Sequence, residues 1–408
     1  MTSNDARLRE RAAAVVPGGM YGHLNTAIFT PGFPQFFERG DGCRQFDVDG
    51  REYLDFMCSW GPVVLGHRHP RVEEAVAAQQ SRGDCLNGPG PIMVELAELL
   101  VDTVPSADWA LFAKNGTDAT TQALMVARAA TGRATVLKAK GAYHGADPWC
   151  TPIPTGTTEA NRADLIDFAY NDLASAEAAA DAAAGDVAAI IVTPFKHDSF
   201  ADQELAEGVF SRGLRALADR VGAVLILDDV RAGFRLDLRG SWETFGVRPD
   251  LTAWSKAIAN GYPLAALTGT DALREAAASL YTTGSFWFSA TPMAAAKATI
   301  ETLRDEDGPA RMARAGTLLR DGLREQADRH GLAIRQTGPV QIPWLAFAED
   351  TSLERAACWT AACLELGVYV HPWHNWFLST AHGDEDIAAA LERTDIAFAR
   401  TAARFGAA

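Results

Sequence analysis

Through the middle of the chain, short apolar runs alternate with amphipathic stretches. That pattern predicts βα units around a mainly parallel sheet. Ala110–Ala113 and Thr135–Lys138 read as strands, and Thr117–Ala130 between them as a helix ended by Gly132. Leu173–Ala184 reads as a helix capped by Asp172 and stopped by Gly185. Ala188–Val192 is a strand, Val209–Arg220 an amphipathic helix, and Ala223–Leu227 a fully buried strand. Thr252–Trp254 is a further short strand, leading into Ser255-Lys256. The ends differ. The first sixty residues hold turn-rich pieces (VPGG, TPGFP, DGCRQFDVDGREYLDF) that predict a small antiparallel sheet. After about residue 305, helical patterns enclose short strands at Gln341–Phe347 and Val368–His371. The expected plan is α/β: a large domain over 61–304 and a small domain from both termini, 1–60 and 305–408.

Composition narrows the partners. The 408 residues are 48 % apolar and 22 % charged, as in a folded globular chain. Lys and Arg number 37 against 52 Asp and Glu, a formal charge of −15 that disfavours nucleic acid and anionic membrane as partners. No apolar run reaches the ~18 residues of a membrane span, and MTSNDARLRERAAAVVPGG has no signal-peptide core. Six cysteines without a CxxC pair read as reduced thiols, so a cytoplasmic location is expected.

Neither GxGxxG after a strand nor GxxxxGK[ST] occurs, so dinucleotide and P-loop sites lack support. His67/His69 and His371/His374 lack a companion carboxylate or thiol cluster, and Pro372 breaks the second pair. No metal site is expected. The strongest chemistry lies elsewhere. Asp228 and Asp229 close the strand AVLIL, at the strand edge where α/β proteins bind ligands. Lys256 follows about one βα unit later. Asn115-Gly116-Thr117 opens a helix with free backbone N–H groups, a seat for phosphate. Tyr143, in Tyr143-His144-Gly145, supplies an aromatic face. A phosphate seat, a lysine, an acid and an aromatic plate are the parts that hold pyridoxal 5′-phosphate (PLP).

The ordered motifs carry a family resemblance. VPGG at 16–19, FDVDGREYLDF at 46–56 and SWGPVVLGHRHP at 59–70 begin the series. KNGTDATTQALMVARAATGR at 114–133, KGAYHGAD at 140–147, YNDLAS at 170–175, LILDDVRAGFR at 225–235, PDLTAWSKAIANGYP at 249–263 and STAHGDEDI at 379–387 continue it. The chain resembles a class III aminotransferase of PLP fold type I, nearest the glutamate-1-semialdehyde aminomutase branch. The resemblance implies that Lys256 is the Schiff-base lysine and moves the substrate proton. By the same resemblance Asp228 pairs with the pyridine nitrogen, Val230 packs under the ring, Tyr143 stacks over it, and Gly116 and Thr117 hold the phosphate. Trp60 would line the substrate side. It further implies a homodimer with shared sites.

The departures bear on substrate. Where the aminomutases carry a carboxylate-gripping arginine, this chain has Asn25, which argues against glutamate-1-semialdehyde. The family's Glu-Pro-Val is here Thr193-Pro194-Phe195, followed by Lys196-His197, and an unusual Arg231 follows Val230. Arg231, Lys196 and His23 are candidates for a relocated anion site. The family's phosphate threonine from the neighbouring subunit aligns either with Trp287, which offers only its backbone N–H, or with Ser285 across a two-residue insertion. Tyr21, Trp60, Phe286, Trp287, Trp373 and Trp376 suit a cyclic or aromatic-type ketone. The expected activity is aminotransfer from an amino donor to a keto acceptor in specialised metabolism. An aminomutase or racemase, and a non-catalytic PLP-binding protein, are the rivals.

Overall fold

The computed structural model describes residues 3–29, 32–197 and 201–406. Thr30 and Pro31 of the TPGFP turn lie outside them. The described chain forms two compact units, one from residues up to His69, Ala201–Asp202 and Ala310 onward, the other from Pro70 to Pro309 without those two residues. The division falls at 69/70 and 309/310, where the sequence pattern had suggested 60/61 and 304/305. The bridge between Gly42 and His67, and the bond from the Thr380 N–H to the Val64 carbonyl, tie 61–69 to the unit built from both termini.

The second unit is organised by a sheet that, among the described residues, has seven strands. In spatial order they are Trp109–Ala113, Ala265–Gly269, Leu251–Trp254, Val224–Asp228, Val187–Val192, Thr135–Ala139 and Leu165–Phe168. Pairing is parallel throughout except at Ala265–Gly269, which runs antiparallel to both neighbours. Every residue of Val187–Val192 and Val224–Asp228 is buried, as helices on both faces require. The helix Gly208–Val221 turns Phe210, Leu214, Leu217 and Ala218 toward the core, a 3.6-residue stripe, and ends at left-handed Gly222. On the other face, Gly116–Thr131 buries Ala123, Leu124, Val126 and Ala127 against Val136, Ile191 and Ile226.

In the first unit, Phe37–Asp41, Arg44–Asp47 and Glu52–Asp55 form the antiparallel meander expected from the turn-rich opening. Val368–Tyr369 adds a parallel edge to it. Trp359, Trp376, Phe347 and Phe398 pack as one aromatic core. After Asp55 the backbone does something unusual: Cys58, Ser59 and Trp60 all take left-handed φ values of 46°, 55° and 66° before Gly61. Asp55 holds the turn. One of its carboxylate oxygens accepts from the Met57 and Cys58 N–H groups at 2.9 and 3.0 Å, and the other meets His67 Nε2 at 2.9 Å.

Candidate active site

The parallel strands of the second unit end together, and their carboxyl edge collects the chemistry. Leu227 lies opposite Val192 on one side and Asp228 opposite Ala253 on the other. Asp228 is buried, and its Oδ2 lies 2.7 Å from His144 Nδ1. His144 is fixed in turn: its carbonyl accepts from Thr120 Oγ1 at 2.7 Å, and its ring stacks on Trp149. The sequence pattern assigns His144 no role beyond its place beside Tyr143. A histidine adjoining the aromatic plate was the available signal.

Asp229 faces away into the interior, where its carboxylate accepts from the Ser241 N–H and Oγ at 2.9 and 2.6 Å. Burial pushes it up to about 7 against those bonds. The two adjacent acids therefore have different tasks, one toward the strand edge and one structural.

Lys256 begins the turn after Leu251–Trp254, with a left-handed φ of 48°. The Ser255 hydroxyl, donating to the Leu264 carbonyl at 2.9 Å, anchors that turn. Burial, then Arg231 and Arg235, push the Lys256 ammonium down to about 7, with Asp228 opposing. A large part of the amine is therefore neutral and nucleophilic at physiological pH.

The phosphate-seat residues stand at the start of Gly116–Thr131. Asn115 caps the helix by accepting from the Asp118 N–H, and Asp118 accepts in return from Lys114 and Asn115. Thr117 Oγ1 accepts from the Ala146 N–H at 3.1 Å. Space here is minimal. A Cβ on Gly116 would sit 2.7 Å from Val230 Cγ1, and one on Gly145, at φ 129°, would sit 2.5 Å from Thr117 Oγ1. Val230 and Trp287 pack on Ala113, Ala119, Ala253 and Ala265. The Trp287 N–H donates to the Gly284 carbonyl at 2.9 Å, so the backbone group expected at a phosphate is already used within its own turn. Ser285 is exposed. Tyr143 is 40 % exposed, and burial of the rest of the ring raises its hydroxyl pKa against the pull of Arg231.

Arg231 lies within electrostatic reach of Tyr143, Asp228 and Lys256, and burial lowers it to about 10. Lys196 sits in a two-residue ribbon opposite Glu204. His23 and Asn25 belong to the first unit. His23 lies edge-on to Trp60 at 4.6 Å. Trp60 also meets His371, His374 and Phe29, so the second histidine pair serves an aromatic cluster. His67 is spent on Asp55. Trp376 is core, its Nε1 donating to the His371 carbonyl.

A half-buried, near-neutral amine, a carboxylate on the next strand and a glycine-edged cradle at a helix start are the donor set for PLP. A family model described as aminotransferase class-III matches residues 30–392. The aminopentol aminotransferase of Sphingopyxis macrogoltabida is 50 % identical over 96 % of this chain and 93 % of its own length. The chain belongs to the class III aminotransferases. A glutamate-1-semialdehyde 2,1-aminomutase of Chloroherpeton thalassium is 32 % identical over 95 % of this chain and 96 % of its own. The FumI protein of Sphingopyxis sp. MTA144, solved in its PLP internal aldimine form, matches with a TM-score of 0.97 and 49 % identity, over 98 % of this chain and 96 % of that one. This aminotransferase uses PLP and moves an amino group from an amino donor to a keto acceptor. The fold is the mixed α/β architecture of PLP fold type I. Among the described residues, no helix is long and apolar enough to cross a membrane.

Proposed function

We propose that this aminotransferase works on an amine and ketone pair that lacks the remote carboxylate gripped by the aminomutase arginine. A hydroxylated amine is the favoured member; the ring ketone expected from the aromatic residues belongs to the same class. The observation that carries this is Asn25. The aminomutase resemblance puts an arginine there, whereas the Asn25 amide is neutral and used within its own turn. Its Nδ2 donates to the Met20 carbonyl and its Oδ1 accepts from the Ala27 N–H, both at 3.0 Å. The half-identical relative, named for an amine with five hydroxyl groups, supports the same reading.

In the proposed mechanism Lys256, as the neutral amine, would hold the cofactor; once the donor amine has displaced it, it would take the proton from the substrate carbon that bears nitrogen and deliver it to the cofactor carbon C4′, the keto acceptor reversing the transfer. Asp228, oriented by His144, would keep a proton on the cofactor's pyridine nitrogen. Val230 and Tyr143 would pack against the ring, and Gly116 and Thr117 would hold the phosphate. PLP, when bound, supplies the electron sink that stabilises the carbanion. Trp60 and Asn25 are assigned to the substrate by resemblance. Arg231 is taken with His197 below. The hydroxyl of Ser285, in place of the Trp287 amide, is assigned to a second subunit's phosphate. A homodimer accords with exposed Tyr281, Phe286 and Phe288 on the second unit, and six cysteines outside any disulfide accord with a cytoplasmic site of action.

The test is a half-reaction. Cofactor-loaded enzyme mixed with a hydroxylated primary amine, without ketone, should lose its visible absorbance, and Lys256→Ala should not. If only α-amino acids bleach it, the substrate class is wrong. If Lys256→Ala turns over at full rate, the mechanism is wrong.

A further inference from the structure

Two positions at which this chain departs from the aminomutase pattern converge beside Lys256. His197 lies five residues beyond Val187–Val192 and Arg231 three beyond Val224–Asp228. Those strands are neighbours, with Val192 opposite Leu227, so both residues emerge at the same carboxyl edge. His197 is 9 % exposed, and its ring stands edge-on to Phe195 at 5.3 Å. The charges of Arg231, His144 and Lys256 all act on it. Among the described residues, its buried Nδ1 meets no hydrogen-bond partner in another residue. Buried polar atoms are nearly always paired, so a buried ring nitrogen left open among reacting groups marks the place of a ligand atom.

We propose that His197, backed by Arg231, is a specificity-determining residue that receives a hydroxyl on the carbon next to the amine-bearing carbon of the donor. This rests on the proposal above that the donor is a hydroxylated amine. The chemistry favours a hydroxyl for two reasons. A hydroxyl both donates and accepts, so it satisfies Nδ1 in either tautomer of the ring. A carboxylate needs a protonated nitrogen, and an ammonium needs a bare one. The local charge points the same way. Burial and the neighbouring cations keep the imidazole neutral, Lys256 is largely discharged, and Asp228 offsets Arg231. A neutral oxygen substituent then enters without an uncompensated charge.

The experiment compares two amines on the cofactor-loaded enzyme: a primary alkylamine, and the same amine with a hydroxyl on the adjacent carbon. The readout is the ratio of their kcat/KM values. His197→Ala should lower the preference for the hydroxylated amine roughly ten- to a hundredfold. His197→Asn, whose amide also donates and accepts, should restore part of it. Binding of the matching diol, which has no nitrogen to transfer, should weaken in parallel in His197→Ala. A ratio unchanged within about twofold, or one that His197→Asn leaves as low as His197→Ala does, overturns the proposal. So does a wild type that prefers the corresponding amino acid, since the pair would then serve a carboxylate. If neither amine bleaches the wild type, the donor reading falls and this one with it. If both react normally and only the ratio fails to move, this inference alone falls.

Discussion

Lysine 256 should destabilise the cofactor-free protein it serves. In the folded chain its ammonium titrates near 7, against 10.5 for an ordinary lysine. Between those pH values the unfolded chain binds more protons than the folded one, so stability rises with pH across the window. Below about 7 both states carry the charge, and the full penalty of burying it applies. At ~1.36 kcal/mol per pH unit the span amounts to ~5 kcal/mol as an upper bound. Partial exposure and entering water reduce this to about 2–3 kcal/mol. Lys256→Met removes the charge and keeps an unbranched side chain of similar length. The variant should therefore gain about 2–3 kcal/mol at pH 7 in the cofactor-free form. That advantage should shrink toward zero as the pH approaches 10.5. Urea unfolding of both proteins without cofactor, over pH values from about 6 to about 10, measures it. A variant less stable than wild type at neutral pH, or a gain that ignores pH, refutes the reasoning.

Three other perturbations probe the site and its support. Gly116→Ala places a Cβ 2.7 Å from Val230 Cγ1, and should weaken PLP binding tenfold or more in an absorbance titration; unaltered affinity would count against the cradle. His144→Ala strips Asp228 of its 2.7 Å partner, and should slow the amine half-reaction by roughly 10- to 100-fold with a shifted cofactor absorption maximum, partly recovered in His144→Asn. A slower reaction with no spectral change would mean His144 acts only through packing. Asp55→Ala removes the His67 contact and the acceptor for the Met57 and Cys58 amides, and should destabilise the protein by about 3–4 kcal/mol, seen as a lower Tm.

Local chemistry was legible wherever one residue type decides a conformation. Asp172 does cap Leu173–Ala182, and Gly132 and Gly222 do end their helices in the left-handed region. The buried strand before Asp228 was unmistakable because both of its faces are apolar. Ala265–Gly269 escaped notice, since AALTG has one β-branched residue and reads as loop; pairing with Leu251–Trp254 and Trp109–Ala113 makes it a strand. Leu165–Phe168 was too short to stand out. The strand read over Gln341–Phe347 begins only at Trp344, because Pro343 has no N–H to donate. Of the residues proposed for the site, Lys256, Asp228, Gly116 and Thr117 were visible from motif order. His144 and His197 were not, because their significance is a relation across strands far apart in sequence.

The turn of Cys58, Ser59 and Trp60 has a practical consequence for anyone engineering this enzyme. Left-handed backbone costs an ordinary residue about 1–2 kcal/mol, so Ser59→Gly, at φ 55° and ψ 39°, is an inviting route to higher stability. The same change would let the backbone wander from the one path that side chains at 58–60 and the Asp55 carboxylate enforce. Trp60 would then lose its fixed seat among His23, His371 and His374. A screen ranked by melting temperature alone would favour that substitution, and would do so by relaxing the residue assigned to the substrate.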